Sequence, residues 1–131
     1  MPTMSPDFKK RWLDALRSGT YPQCRLTLYD GAGYCCLGVA VKVALEAELI
    51  PADRVEIRPA LMAVRRYPDA SEHTTTGKPP AWFWHNIMGL GPDDEVRVDG
   101  SLVRVEGELI RQNDEAQLSF REIADWIEAN L

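Results

Sequence analysis

Hydrophobic residues near the N-terminus recur with the period of a helix. Phe8 and Trp12 fall on one face of a predicted helix over residues 6–18. Ser5 and Pro6 stand where an N-cap and a first helical residue are expected. The pattern therefore predicts an amphipathic helix that packs one side against a core.

The C-terminal residues predict a second amphipathic helix. Ser119 and Glu122 have the spacing of a capping box, in which each side chain caps the backbone of the other residue. The hydrophobic positions that follow again share one face of a helix: Phe120, Ile123, Ala124, Ile127 and Leu131.

Residues 34–45 are almost uniformly apolar. Their length favours a buried helix over a strand. A helix that is apolar on nearly every side is expected at the centre of a fold, where it contacts several elements. Gly38 within this segment would let another backbone approach closely, because glycine has no side chain.

Residues 95–105 alternate between apolar and polar positions around Asp99-Gly100. This is the signature of a hairpin with a two-residue turn, in which Val96 pairs with Val103. The predicted register places four valines on one face and Arg97, Leu102 and Arg104 on the other.

The remaining segments predict shorter elements. These are a strand within residues 21–30, a helix over 59–64, an unstructured loop over 65–80, a helix over 81–90, and a strand or turn over 108–112. Together the elements predict a single α+β domain over residues 1–131. In it, a central apolar helix and terminal helices pack with a small antiparallel sheet or hairpin.

Composition bounds the class of protein. With 131 residues, of which 45% are hydrophobic, the chain can form one self-supporting core. It contains no run of about 18 apolar residues that would cross a membrane. Residues 1–11 lack the apolar region of a signal peptide. The sequence therefore predicts a protein of the cytoplasm.

The charge disfavours nucleic acid as a partner. The chain carries 15 basic and 20 acidic residues, so that a general basic field is missing. The first 66 residues hold 10 basic and 7 acidic side chains, whereas residues 67–131 hold 5 and 13. The acidic second half could attract a basic protein surface, or it could simply keep the protein soluble.

The three cysteines, Cys24, Cys35 and Cys36, predict free thiols. An odd number without a signal peptide is typical of a reducing compartment. Adjacent cysteines lack the spacing of a zinc site, and the sequence predicts neither a metal nor another cofactor. Burial in an apolar segment would raise the thiol pKa and disfavour a nucleophilic cysteine.

A candidate ligand-binding region lies between residues 65 and 84. Its basic side chains could hold an anion, and its aromatic rings could stack on a base. Because three consecutive aromatic residues on a helix cannot all face one way, at least one ring should be exposed or meet a loop. A solvated loop beside an aromatic core is the alternative. The candidate residues here are Arg65, Arg66, His73, Lys78, Trp82 and Trp84.

Both ends of the chain also carry a specific pattern. It consists of Ala15-Leu16-Arg17-Ser18-Gly19 with Tyr21 and Gln23, then Tyr34-Cys35-Cys36-Leu37-Gly38-Val39, then Asn113-Asp114, then Ser119-Phe120-x-x-Ile123-Ala124-Asp125-x-Ile127-Glu128. This pattern resembles a family of small proteins encoded by bacteriophages and prophages. Residues of about 50–110 match that family poorly.

The resemblance implies a phage accessory protein that acts in the bacterial cytoplasm, and it supplies no active site. Several polar residues of the pattern are not explained by any helical or strand period. They could line one shared binding site, or they could satisfy buried turns through hydrogen bonds. These residues are Arg17, Tyr21, Gln23, Asn113 and Asp114.

The leading hypothesis is a protein that binds and sequesters a host component without catalysis. That component would be a nucleotide-like immune signal or a host defence protein. The alternative is a small enzyme that hydrolyses or modifies a nucleotide. A third hypothesis is a protein that acts through surface contacts alone. A homo-oligomer is compatible with each of these.

Overall fold

A buried helix lies at the centre of the fold, as the sequence predicts. The computed structural model of the chain describes residues 3–67 and 70–131. The central helix, α2, spans Cys36–Glu46. Only three of its residues reach the surface to any extent; the buried ones are Cys36, Leu37, Gly38, Val39, Ala40, Val41, Val43 and Ala44.

The two terminal helices pack against each other, and the N-terminal one also packs against α2. Helix α1 spans Pro6–Arg17 and helix α5 spans Phe120–Asn130, and both bury a single apolar face. The predicted capping box of α5 is confirmed, since the Ser119 hydroxyl and the Glu122 carboxylate each accept a backbone N–H of the other residue. The hydrophobic period, together with the residues at the start of each helix, therefore located both helices.

A three-stranded antiparallel sheet occupies the middle of the chain, in the order β1-β2-β3. The strands are β1 over Val55–Arg58, β2 over Leu61–Tyr67 and β3 over Ala70–Thr75. A single 3-10 turn over Ala52–Arg54 precedes β1.

The predicted helix over residues 59–64 is wrong, because most of this segment belongs to β2. Met62 and Val64 are fully buried on the face of β2 that meets the core. The intervening Ala63 is also apolar, so that the two-residue period of a strand is hidden in the sequence.

The predicted loop over residues 65–80 is also wrong for much of its length. Residues 65–67 continue β2, and residues 70–75 form β3. The described side chains of β3 are polar and largely exposed, so the segment lacks the alternation of apolar residues by which a half-buried strand is recognised.

An aromatic helix and a hairpin follow. Helix α3 begins at Ala81–Phe83 and continues as a π-helical turn over Trp84–Met88. Strands β4 (Glu95–Val98) and β5 (Ser101–Arg104) form the hairpin. Its predicted register is confirmed, with Val96 opposite Val103 and Val98 opposite Ser101.

Residues 108–112 are helical, which corrects the prediction of a strand or turn. Helix α4 spans Val105–Ile110 and continues as a π-helical turn over Arg111–Glu115. Side-chain bonds at helical spacing support it, since the Glu108 carboxylate accepts from Arg111 at 2.8 Å and from Gln112 at 2.8 Å.

The predicted strand within residues 21–30 is replaced by an irregular loop. Only two isolated bridges form, from Gln23 and from Tyr29 to Tyr34. Leu26 adopts a left-handed conformation with φ of 71°, which interrupts an extended strand. The loop passes so close to α2 that the Leu28 carbonyl contacts the Cα of Gly38.

None of the helices within residues 3–67 and 70–131 combines the length and the hydrophobicity needed to cross a bilayer.

Candidate ligand-binding site

The contacts divide the eleven residues predicted from the sequence into two groups. One group lies around the end of β2 and the start of α3. The other group joins the loop over residues 21–30 and the helices near both chain ends.

Asn113 is the centre of the second group and is only 1% exposed. Its Nδ2 donates to the Cys24 carbonyl at 2.9 Å and to Asp114 Oδ1 at 2.8 Å. Its Oδ1 accepts from Gln23 Nε2 at 3.0 Å and from the Cys36 backbone N–H at 3.2 Å. Because both donors and both acceptor positions are used, this amide has no capacity left for a ligand.

The neighbours of Asn113 are also engaged. Gln23 Nε2 donates a second bond to the Leu118 carbonyl at 2.8 Å, and Asp114 Oδ1 accepts the Leu26 backbone N–H at 3.0 Å. We call Gln23, Asn113 and Asp114 the polar hub. Its contacts favour the interpretation in which these residues satisfy buried turns.

Arg17 and Tyr21 do not join the polar hub. Arg17 reaches α5, where its guanidinium donates to Asp125 at 2.7 Å and to Glu128 at 2.8 Å. These two carboxylates raise the pKa of Arg17. The Tyr21 hydroxyl donates to Glu46 at 3.1 Å at the end of α2.

Two residues of the first group, Arg66 and Lys78, line a cleft of about 390 Å³ between the sheet and the start of α4. We call it the inner cleft and define it by Arg66, Lys78, Asp93 and Glu106, which line it together with three prolines. The sequence prediction included Arg66 and Lys78. It missed Asp93 and Glu106. These residues belong to no sequence motif, and only the folding of the chain brings them to the cleft.

Glu106 is the most enclosed charged group of the inner cleft. Its side chain is 14% exposed, its Oε2 accepts from the indole of Trp84 at 2.9 Å, and its Oε1 lies 3.6 Å from Lys78 Nζ. Burial raises the pKa of Glu106, and the nearby Lys78 partly opposes that effect. The pKa of the Glu106 carboxyl is therefore closer to neutral pH than that of an exposed glutamate.

The aromatic run over residues 82–84 does not form an exposed surface. Phe83 and Trp84 are fully buried, and Trp84 stands behind Glu106. Trp82 is half-buried; its indole donates to the Arg65 carbonyl at 2.7 Å, and the Arg54 guanidinium lies 5.6 Å from its ring centre. The ring thus contacts strand β2 and the 3-10 turn before β1, whereas the sequence predicted an exposed ring or one that meets a loop.

Arg65 belongs to a different depression from Arg66. This outer groove, of about 320 Å³, is lined by Asp53, Arg54, Glu56, Ala63, Arg65 and Thr74. No residue lines both the inner cleft and the outer groove. Adjacent residues of a strand point to different sides, which accounts for the separation of the two arginines. The remaining predicted residue, His73, is exposed on β3.

The cysteines are poorly suited to nucleophilic chemistry. Burial raises the pKa of Cys24 to about 11 and that of Cys35 to about 12, and it also raises the pKa of Cys36. The Cys35 sulfur instead accepts the Gly38 N–H at 3.3 Å and caps α2. At neutral pH these thiols are protonated, whereas a nucleophile must be a thiolate.

The part of the chain that the structure describes contains no group of three His, Cys, Asp or Glu side chains that could hold a metal ion.

A family model described as a domain of unknown function (DUF8296) matches residues 4–131. The chain belongs to this family. No curated protein and no solved structure matches the chain.

Proposed function

We propose that the protein binds and sequesters a nucleotide-like host component in the inner cleft without converting it. The observation that carries the proposal is the meeting of two cations and two carboxylates in one cleft. Cations bind phosphate oxygens, and carboxylates accept hydrogen bonds from the amino groups of bases. A nucleotide offers both kinds of group.

Arg66 and Lys78 would hold the phosphate. Arg66 is exposed and forms no salt bridge with any carboxylate that the structure describes. The Lys78 side chain is 57% exposed, and its contact with Glu106 is long at 3.6 Å. An ammonium group has three donors, so Lys78 can contact a phosphate bound beside Glu106 without leaving that carboxylate.

Glu106 and Asp93 would select the base. Glu106 Oε2 is occupied by the indole of Trp84, which leaves Oε1 to accept from a ligand. An exocyclic amino group is the matching donor on a base. The proposal therefore favours adenine, guanine or cytosine nucleotides over uracil nucleotides.

Burial of the three thiols disfavours turnover by a cysteine nucleophile. The proposed setting, in which a phage protein removes an immune signal of its bacterial host, rests on the resemblance of the chain ends to phage and prophage proteins. The resemblance bears only on where the ligand would come from. The residues of the inner cleft bear on the chemical class of the ligand.

Isothermal titration calorimetry with AMP and UMP tests the binding proposal. We expect the protein to bind AMP more tightly than UMP. The double variant Arg66→Ala/Lys78→Ala should lose at least about a hundredfold in affinity, since each of the two charge-assisted bonds contributes about 1.5–3 kcal/mol. The control Lys10→Ala/Arg121→Ala removes the same charge elsewhere and should bind as the unchanged protein does. Equal binding by the cleft variant and the control would refute the proposal.

A second candidate is an enzyme that uses Glu106 as a general acid. Two carboxylates in unlike environments are a common arrangement for acid–base chemistry, and Glu106 is largely enclosed whereas Asp93 is exposed. Chromatography of AMP after prolonged incubation separates the two candidates. Intact AMP supports sequestration, whereas a product that Glu106→Gln no longer forms supports the enzyme.

A further inference from the structure

We infer that the outer groove is a second anion-binding site, which takes a phosphate group independently of the inner cleft. The inference rests on Arg54, Arg65 and Thr74, which line this groove of about 320 Å³. All three side chains carry hydrogen-bond donors, and two of them are permanently cationic.

Arg54 is held in place before any ligand arrives. Its guanidinium lies 5.6 Å from the centre of the Trp82 ring, and Trp82 is itself fixed by the bond from its indole to the Arg65 carbonyl at 2.7 Å. A planar guanidinium held against an aromatic ring keeps its edge donors available for an anion. Little side-chain freedom would then be lost on binding, which favours affinity.

Arg65 and Thr74 are brought together by the sheet. They are paired residues of the antiparallel strands β2 and β3. Residues directly opposite each other on such strands have Cβ atoms about 4.5–5.5 Å apart and point to the same face. The guanidinium of one and the hydroxyl of the other therefore reach the same groove, whose remaining wall includes the small side chain of Ala63.

The two arginines of the outer groove are available to an external anion. Arg54 and Arg65 are half-buried, yet neither forms a salt bridge with a carboxylate that the structure describes. Of the two acidic residues that line the groove, Glu56 is paired with Arg58 at 2.9 Å. A bound phosphate would give both guanidinium groups a charge-assisted partner.

Titration with inorganic phosphate, followed by two-dimensional ¹H–¹⁵N NMR, tests the inference. We expect the backbone N–H of Thr74, the side-chain Nε–H of both arginines and the indole N–H of Trp82 to shift in a saturable way. Arg54→Gln/Arg65→Gln should weaken phosphate binding at this groove at least tenfold. The control Arg97→Gln/Arg121→Gln removes the same charge from β4 and α5 and should leave the affinity within about twofold.

A third variant separates this inference from the proposed function. Arg66→Gln should abolish phosphate-dependent shifts around Lys78 and leave those at Thr74 unchanged. The inference is overturned if phosphate produces no saturable shift at the outer groove, or if Arg66→Gln and Arg54→Gln/Arg65→Gln weaken the same set of shifts. Failure of AMP to bind the inner cleft would leave the shifts expected at the outer groove, and their loss in Arg54→Gln/Arg65→Gln, unaffected.

Discussion

Individual glycines in this protein have different physical roles, and Gly38 has the most demanding one. It lies in α2, where a methyl group built on its Cα would overlap the Leu28 carbonyl oxygen. Its backbone conformation is ordinary for a helix, so the requirement is for space. Gly107 in α4 has the opposite environment, because a methyl group there would meet no heavy atom within 4 Å.

Two glycine-to-alanine variants should therefore change stability in opposite directions. Gly38→Ala should lower the free energy of unfolding by about 3 kcal/mol, the upper range for overpacking, because the obstacle is backbone. Gly107→Ala should raise it by about 0.5–1 kcal/mol, since alanine is the better helix former. Urea denaturation measures both values. A shift of the same sign in both variants would contradict the structure.

At the scale of the elements, two helices begin at a serine but use it differently. Ser119 caps α5 through a reciprocal capping box, with bonds of 3.2 Å and 3.0 Å to Glu122. Ser5 occupies the N-cap position of α1, but its side chain makes no capping hydrogen bond. The start of α1 depends instead on Pro6, which already has the backbone angle of a helix.

Replacing each serine by alanine tests this difference. Ser119→Ala should cost about 1 kcal/mol, because one backbone N–H at the start of α5 loses its partner. Ser5→Ala should change the free energy of unfolding by less than about 0.5 kcal/mol, as for a surface substitution without a specific contact. Thermal unfolding of the two variants at one pH provides the comparison, and equal losses would show that the cap of α1 has been misjudged.

At the scale of the whole molecule, the polar hub joins segments that are distant in sequence. The Asn113 amide connects the carbonyl of Cys24 in the irregular loop, the backbone N–H of Cys36 at the start of α2, and the π-helical turn in which it lies. Since loop, central helix and turn meet at one buried side chain, its loss should affect the fold as a whole.

Asn113→Ala should lower the free energy of unfolding by about 2–4 kcal/mol, because it leaves buried backbone groups without partners at about 1–3 kcal/mol each. Asn130→Ala is the matched control; its amide makes a single bond, to the Trp126 carbonyl at 2.9 Å, and about 1 kcal/mol is expected. Chemical denaturation of both variants gives the two values. If Asn113→Ala costs no more than the control, the hub does not hold the fold together.

Sequence patterns predicted the elements whose conformation is determined by residues close to one another in the chain. The helical period located α1 and α5, the capping box located the start of α5, and Asp99-Gly100 set the register of the hairpin. In each case, residues within a few positions of one another determine the conformation. The same patterns failed for β2, because Met62, Ala63 and Val64 are all apolar and show no period.

Tertiary structure alone decided how the chemically active side chains meet. Lys78 and Glu106 share the inner cleft although 27 residues lie between them, and Arg54 reaches Trp82 from the turn before β1. The sequence by itself determined which segments are helical at the ends, where the hairpin turns and that the thiols are free. Which charges face each other depends on how the chain between them folds. Local periodicity in the sequence does not predict that folding.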